Sequence, residues 1–140
     1  MKIIVDTCIW SLALRRNKPN DSEQVKELRE LIKESRVQMI GPIRQEILSG
    51  VRSKKQFDVL KRYLKTFPDL SIMTEDYEKA VKLFNLCRSE GLQGSNTDFL
   101  ICSLCIRNNY SLFTMDNDFN LFSQYIPIKL HKIRDVGDSE

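Results

Sequence analysis

The sequence predicts an α/β domain, a three-layer α/β/α sandwich around a mostly parallel, about five-stranded sheet. Three observations predict it. Short apolar runs at residues 2–5, 37–40, 70–73, 111–114 and 126–133 alternate with stretches of helical periodicity, the pattern of parallel strands joined by crossover helices. The first run, Ile3-Ile4-Val5, has no polar alternate, which suits a strand covered on both faces. No repeat, linker or low-complexity stretch divides the 140 residues, a length that suits one domain with a real core. Residues 1–140 therefore read as a single domain, ordered to about residue 134, with a short polar tail.

The elements follow in order. Residues 2–5 form the first strand. Residues 9–14 make a short apolar helical turn, closed by the polar run 15–20. Asp21 or Ser22 caps the next helix, which sets Val25, Leu28, Leu31 and Ile32 on one face. Residues 37–40 are the second strand. Gly41-Pro42 breaks it, and Pro42 suits the first turn of a helix carrying Ile43, Glu46, Ile47 and Leu48 that stops at Gly50. Ser53 caps a further helix with Phe57, Leu60, Leu64 and Phe67 on one face, and Pro68 ends it. Residues 70–73 read as the third strand. A long helix over 74–90 places Tyr77, Val81, Phe84 and Cys87 at helical spacing, with Glu75 and Asp76 in the first turn, where acids complement the helix dipole. Gly91 ends it, and 91–95 is a loop. The next helix opens at 96–98, runs over 99–107 and breaks at Asn108-Asn109. Residues 111–114 are the fourth strand, 116–118 cap a short helix with Phe119, Leu121 and Phe122, and 126–133 are the last strand. Trp10 and the phenylalanines are core candidates.

Bulk composition excludes more than it identifies. With 41% hydrophobic and 29% charged residues, the chain is not of a disordered type. Its net charge of +3 is too small to imply nucleic-acid binding. The distribution says more: residues 44–65 hold seven basic residues and two acids, so that segment carries +5 and the remainder −2. Arg52, Lys54, Lys55, Lys61 and Arg62 are therefore candidate contacts to a phosphodiester backbone; a solvated helix face is the other reading of the same run. No stretch reaches the ~18 apolar residues of a membrane span. The N-terminal apolar stretch is cut short by Asp6 and does not read as a signal peptide. The chain is expected in the cytoplasm, away from membranes, with Cys8, Cys87, Cys102 and Cys105 as free thiols. Cys102 and Cys105 have C-x-x-C spacing, but inside a helix and without a second Cys/His pair they read as small buried apolar residues.

The informative residues are acids. Asp6 follows the first strand directly, and Asp116 follows the fourth. Asp98 opens a helix, and Glu46 lies one turn past Pro42. In a parallel sheet, ligands bind outside the carboxyl ends of the strands, where strand order reverses. All four acids fall on that rim. Three or four carboxylates suit a hard divalent cation, Mg²⁺ or Mn²⁺. Such an ion supports in-line hydrolysis of a phosphodiester, leaving a 5′-phosphate and a 3′-hydroxyl. A metal-free ribonuclease would want a pair of groups titrating near neutrality; the one histidine, His131, lies in the last predicted strand and reads as structural. Taken singly, each acid has a plainer role: Asp6 as a helix cap, Asp98 as a first-turn acid, Glu46 as a surface residue, Asp116 and Asp118 as turn formers. Joint placement favours the metal site. Thr7, Asn96 and Thr114 are polar neighbours that would orient carboxylates or waters, or else bond locally in caps and turns.

Four pieces of sequence carry a resemblance: Ile4-Val5-Asp6-Thr7, Glu46 with Ile47-Leu48-Ser49-Gly50, Asn96-Thr97-Asp98-Phe99-Leu100-Ile101, and Thr114-Met115-Asp116-Asn117-Asp118-Phe119. Together, in this order and spacing, they resemble the PIN-domain nucleases, and within them the VapC-type toxins of prokaryotic toxin–antitoxin pairs. The resemblance implies a three-layer α/β/α fold, Mg²⁺- or Mn²⁺-dependent endoribonuclease activity, a homodimer, and an antitoxin whose C-terminal segment blocks the acidic pocket. By position it makes Asp6, Glu46, Asp98 and Asp116 the metal-binding acids. Asp118 matches an acid that only some members use. Thr7 and Thr114 match hydroxyl positions, and Asn96 matches more weakly. Where the family usually has two alanines after the residue that follows Leu100, this chain has Cys102-Ser103, still small enough for close helix packing.

Two other readings stay open. A catalytically inactive PIN-like module would bind RNA or protein without cutting. A haloacid-dehalogenase-like phosphatase or a receiver domain also gathers acids at strand ends. The phosphatase needs an Asp at position 8, where Cys8 stands, and the receiver needs an Asp after its third strand, where Thr74 stands.

Overall fold

The structure, a computed structural model, describes residues 1–14 and 21–135. The polar run 15–20 and the end of the predicted tail lie outside the described residues. Four strands are formed: β1 (Ile3–Val5), β2 (Val37–Gln38), β3 (Ser111–Phe113) and β4 (Lys129–Leu130). They make one all-parallel sheet in the order β2-β1-β3-β4. Among the described residues seven helices complete the α/β/α layers: α1 (Thr7–Ala13), α2 (Glu23–Lys33), α3 (Gly41–Leu48), α4 (Lys54–Leu64), α5 (Thr74–Ser89), α6 (Asn96–Asn108) and α7 (Asp118–Phe122).

β1 is the sheet's pivot. Its three residues are fully buried, as a central parallel strand requires. From β1 the chain crosses to one side to form β2, then to the other to form β3. Ile4 pairs with Gln38 on one flank and Leu112 on the other. The strand order therefore reverses at β1, and the crevice belongs at the carboxyl ends of β1 and β3. The Asp6 N–H donates to the Phe113 carbonyl at 2.8 Å, which carries the pairing to that rim.

Helix starts follow their caps. Ser22, Ser53 and Ser95 each accept from the amide three residues on, and Pro42 occupies the first turn of α3. Gly50, with φ +82°, ends the α3 segment in a conformation that side chains resist. Trp10, Phe99, Phe113, Phe119 and Phe122 are buried in the core, while Phe57 and Phe84 are half-buried.

Two expectations are corrected. The predicted strand at 70–73 does not form; the sheet has four strands, and the one bridge nearby is made by the preceding residue, Asp69, to Met39. Side chains take its hydrogen-bonding groups. Arg107 Nη2 donates to the Ser71 carbonyl at 3.0 Å, and Asp76 accepts from the Met73 amide at 2.8 Å. The last strand shrinks from 126–133 to two residues, because Pro127 offers no amide and the Ile128 amide turns back to the Ile126 carbonyl.

The buried face of α5 is also rotated from the predicted one. Tyr77 and Val81 are 53% and 56% exposed; Asp76, Ala80, Leu83 and Cys87 are buried. Arg107 of α6 donates to both Asp76 oxygens, at 2.6 and 3.0 Å, and Ser103 Oγ donates to the Asp76 carbonyl at 2.8 Å. Those bonds draw Asp76 inward, and the small Ala80 and Ser103 let α5 and α6 close on each other.

A second polar cluster fastens the chain beyond β4. Glu27 on α2 is 5% exposed. It meets His131 Nε2 at 2.7 Å and Arg134 Nε at 3.0 Å, and Arg134 also reaches Glu34 at 2.9 Å. His131 is structural, as read from the sequence.

Candidate active site

Asp6 stands where β1 hands over to α1. It caps α1, its Oδ1 accepting from the Thr7 amide at 2.8 Å, and its Oδ2 accepts from Thr114 Oγ1 at 2.7 Å. Thr114 in turn accepts the Asp116 amide at 3.0 Å, so one hydroxyl ties the β1 acid to the loop after β3. Thr7 Oγ1 donates to Glu46 Oε1 at 2.7 Å and ties α1 to α3. Asp98 sits in the first turn of α6. Its Oδ2 accepts from the Ser95 amide at 3.0 Å while Ser95 Oγ accepts from the Asp98 amide at 3.0 Å, a reciprocal cap that fixes the helix start. Asp116 Oδ1 accepts from the Asp118 amide at 2.9 Å and orders the turn into α7.

Electrostatics link the four acids into one chain. Burial pushes the Asp6 carboxyl up from its ordinary value; the bonds from Thr114 and Thr7 oppose that, and the Glu46 charge adds to it. Burial likewise pushes Asp98 up, against its bonds to Ser95, and the charges of Asp6 and Asp116 push it further. Like charges close enough to shift one another are costly in a folded protein unless a cation joins them. Yet among the described residues no three His, Cys, Asp or Glu side chains close around a single point from which they would share an ion. Each of the acids other than Asp6 accepts from a local donor: Glu46 from the Thr7 hydroxyl, Asp98 from the Ser95 amide, Asp116 from the Asp118 amide. The donor set itself fits a hard divalent ion, since it is all oxygen, with Asp6 and Asp98 half-buried and Glu46 and Asp116 open to solvent.

Thr7 and Thr114 bond carboxylates of the rim. Asn96 faces elsewhere, lining a hollow of about 310 Å³ with Tyr77, Val81 and Leu100. Asp118 is exposed at the rim's edge.

Cys8 was read only as a free thiol. Its Sγ lies 3.7 Å from Asp6 Oδ2 and 3.8 Å from Thr114 Oγ1, and accepts the Met115 amide at 3.5 Å. Burial pushes the thiol's pKa up, and the Asp6 charge adds to it although the Met115 bond opposes both. It is a neutral pin between the two strand ends. The available signal was its place two residues past a strand-end acid, on the first turn of α1. Cys102 and Cys105 are buried, and burial pushes both thiols far up.

The basic segment divides. Arg44 is spent on structure: it pairs with Asp69 at 2.9 Å and donates to the Leu64 and Phe67 carbonyls. Lys54 pairs with Asp58 at 3.0 Å on an exposed surface, a contact of small energy. Arg52, Lys55, Lys61 and Arg62 are exposed.

Comparison with known proteins agrees with this fold. The sequence model of the PIN domain matches residues 3–124. The chain is similar to VapC ribonuclease Mb1587 of Mycobacterium bovis and to ribonuclease VapC11 of Mycobacterium tuberculosis, each 28% identical over 136 residues that cover 94% of this chain and 99% of the relative. Its fold is similar to that of the solved FitAcB of Neisseria gonorrhoeae, with a TM-score of 0.74 at 18% identity over 93% of this chain and 96% of that one. It is equally similar to a chain of VapBC2 from Rickettsia felis, solved bound to a DNA fragment from its promoter, with a TM-score of 0.74 at 21% identity over 94% and 98%. Spanning both acid-bearing strand ends and the helices that carry Glu46 and Asp98, the match shows that the chain belongs to the PIN domain family.

Proposed function

We propose that the protein is a metal-dependent endoribonuclease and the toxin of a type II toxin–antitoxin pair. Its substrate is RNA, its cofactor Mg²⁺ or Mn²⁺, and its partners are a cognate antitoxin and a second copy of itself. The supporting observation is the run of mutually repelling carboxylates at the strand-order reversal, Asp6 against Glu46 and Asp98 against Asp6 and Asp116. The ribonuclease names of its full-length relatives point the same way.

Asp6, Glu46, Asp98 and Asp116 would hold the ion, with Asp118 beside them. When bound, the ion lowers the pKa of a water and polarises the phosphoryl oxygens. The chain's own work is positioning. Thr114 fixes Asp6 against the Asp116 loop, Thr7 holds Glu46 over the rim, and the Ser95 cap sets Asp98 at the helix start. Water adds to phosphorus, the bond from phosphorus to the 3′ oxygen breaks, and that oxygen leaves as a hydroxyl, with the phosphate retained on the 5′ side. Arg52, Lys54, Lys55, Lys61 and Arg62 attract the RNA backbone.

The exposed face of α5 suits the homodimer. Met73, Tyr77 and Val81, spaced four apart, are each about half-exposed, and large apolar side chains in a row mark interaction surfaces. No helix among the described residues is long and apolar enough to cross a membrane, and the proposed role belongs in the cytoplasm.

One observation favours the second reading, an inactive RNA- or protein-binding module: among the described residues no three acids close on a point. Cleavage decides. Purified protein is incubated with total RNA, with Mg²⁺, with Mn²⁺ and with chelator, alongside Asp98→Asn. The expected result is cleavage that needs the metal and falls about 10²–10³-fold in the variant, the scale of losing one preorganised electrostatic group. Metal-independent cleavage, or a variant that cuts at the parental rate, contradicts the site. No cleavage under any condition favours the binding module.

A further inference from the structure

The loop that presents Asp116 is tied twice to one oxygen of Asp6. The Asp116 amide donates to Thr114 Oγ1 at 3.0 Å, and that hydroxyl donates to Asp6 Oδ2 at 2.7 Å. The Met115 amide donates to Cys8 Sγ at 3.5 Å, and that thiol lies 3.7 Å from the same Oδ2. We infer that Cys8 is a positioning residue of the acid site: its sulfur sets the Asp116 loop against Asp6 and leaves the other Asp6 oxygen, Oδ1, for the ion. The inference rests on the metal-dependent reading and deepens it by one residue that acts through its neighbours.

Proton counting fixes the direction of each bond. Thr114 has one hydroxyl proton, and an ionised carboxylate has none to give. That proton therefore lies toward Asp6 Oδ2. In the 3.8 Å contact between Cys8 and Thr114 the thiol is then the donor, so its proton faces both oxygens. The sulfur's lone pair is left for the Met115 amide. Cys8 thus does from α1 what Thr114 does after β3: each accepts one loop amide, and each donates to Oδ2.

The same count assigns the two oxygens of Asp6. An ionised carboxylate has about four lone-pair sites. Thr114 and Cys8 occupy those on Oδ2, and the Thr7 amide occupies one on Oδ1. The site that stays open is on Oδ1. Oδ2 works for the fold and Oδ1 for the cation, a division that outer partners of a metal ligand impose.

Reach explains the sulfur. At 3.5 and 3.7 Å an oxygen would bond neither partner, whereas sulfur is larger and stands further from its Cβ. Cys8→Ser therefore draws the polar atom back and loses both contacts, although it keeps a donor and an acceptor. Bulk is a poorer explanation. Cys8 is half-buried on the first turn of α1, while Cys87, Cys102 and Cys105 fill the closed core.

The test compares wild type, Cys8→Ala, Cys8→Ser and Cys105→Ala. The last removes a buried thiol of α6 outside this network and controls for a general loss of stability. In chelator, amide hydrogen exchange at Met115 is expected to quicken in both Cys8 variants and to keep its wild-type rate in Cys105→Ala. Calorimetric titration with Mn²⁺ is expected to show affinity about tenfold weaker in both Cys8 variants and unchanged in Cys105→Ala. Wild-type exchange at Met115 in Cys8→Ala, or wild-type Mn²⁺ affinity in either Cys8 variant, overturns the inference. So does equal weakening in Cys105→Ala, which would make the effect one of stability alone. A wild-type protein that binds no Mn²⁺ removes the metal site and the positioning role with it. That failure is seen in wild type, whereas failure of the positioning role alone is seen only in variants of a wild type that binds, so the two are distinguishable.

Discussion

Two groups of carboxylates in this protein have opposite environments. Glu27 and Asp76 are almost wholly buried, and each is gripped by a guanidinium: Glu27 by Arg134, with a hydrogen bond to His131 beside it, and Asp76 by Arg107. Burial alone would push both acids up. Hydrogen bonds from Arg134 and His131 outweigh it at Glu27, and the Arg107 and Met73 bonds outweigh it at Asp76, so both are held below the usual carboxylate range. Asp6 and Asp98 are half-buried and both are pushed up, chiefly by burial, with neighbouring carboxylates adding to it. A paired acid holds a fold together. A group of acids left facing one another calls for a cation from outside, which is why the rim and not the deeper pairs reads as the site.

The contrast can be broken at the paired end. Arg107→Ala leaves Asp76, 1% exposed, without its guanidinium. The expected loss is about 3 kcal/mol, the scale of stranding a buried charge, read as a lowered midpoint in urea unfolding. A loss under about 0.5 kcal/mol would make that pair no more than a surface contact.

A change of pH sharpens the contrast, because the two groups have opposite signs. Glu27 and Asp76 have depressed values in the folded state, so their stability is fully present above the unfolded carboxylate value of about 4 and is lost as pH falls through the folded one. Asp6 and Asp98 have raised values. The folded rim holds its protons longer, so stability falls as pH rises from the unfolded value through the raised one. In chelator, Asp98→Asn is therefore expected to melt above wild type at neutral pH, with the gap closing on acidification toward pH about 4. Melting temperatures across that range check this. A variant that melts below wild type at neutral pH would mean that the Ser95 cap, and not repulsion, dominates at Asp98.

The architecture was legible in the sequence, and so was the position of each acid, because strand ends, caps and breakers are local signals. Asp6 after Ile3-Ile4-Val5, Pro42 in a first turn and Ser95 three before Asp98 all act within one turn of themselves. What misled was long-range pairing. Periodicity alone gave α5 a face through Tyr77 and Val81, whereas Arg107, 31 residues after Asp76, turned that helix by its grip. The same arginine took the Ser71 carbonyl and with it the predicted third strand. Arg44 counted toward a basic lobe until Asp69 claimed it. The place of Cys8, two residues past Asp6, set it at the strand end but did not reveal its contacts to Thr114 and Met115, more than 100 residues away.

The central claim is that Asp6, Glu46, Asp98 and Asp116 serve a common cation, and its most direct test is calorimetric titration of the protein with Mn²⁺. The expected result is saturable binding by wild type that weakens at least about tenfold in both Asp6→Asn and Asp98→Asn, the effect of about 1.4 kcal/mol per ligand charge removed. Equal binding by wild type and both variants, or no binding by wild type at millimolar metal, would contradict it.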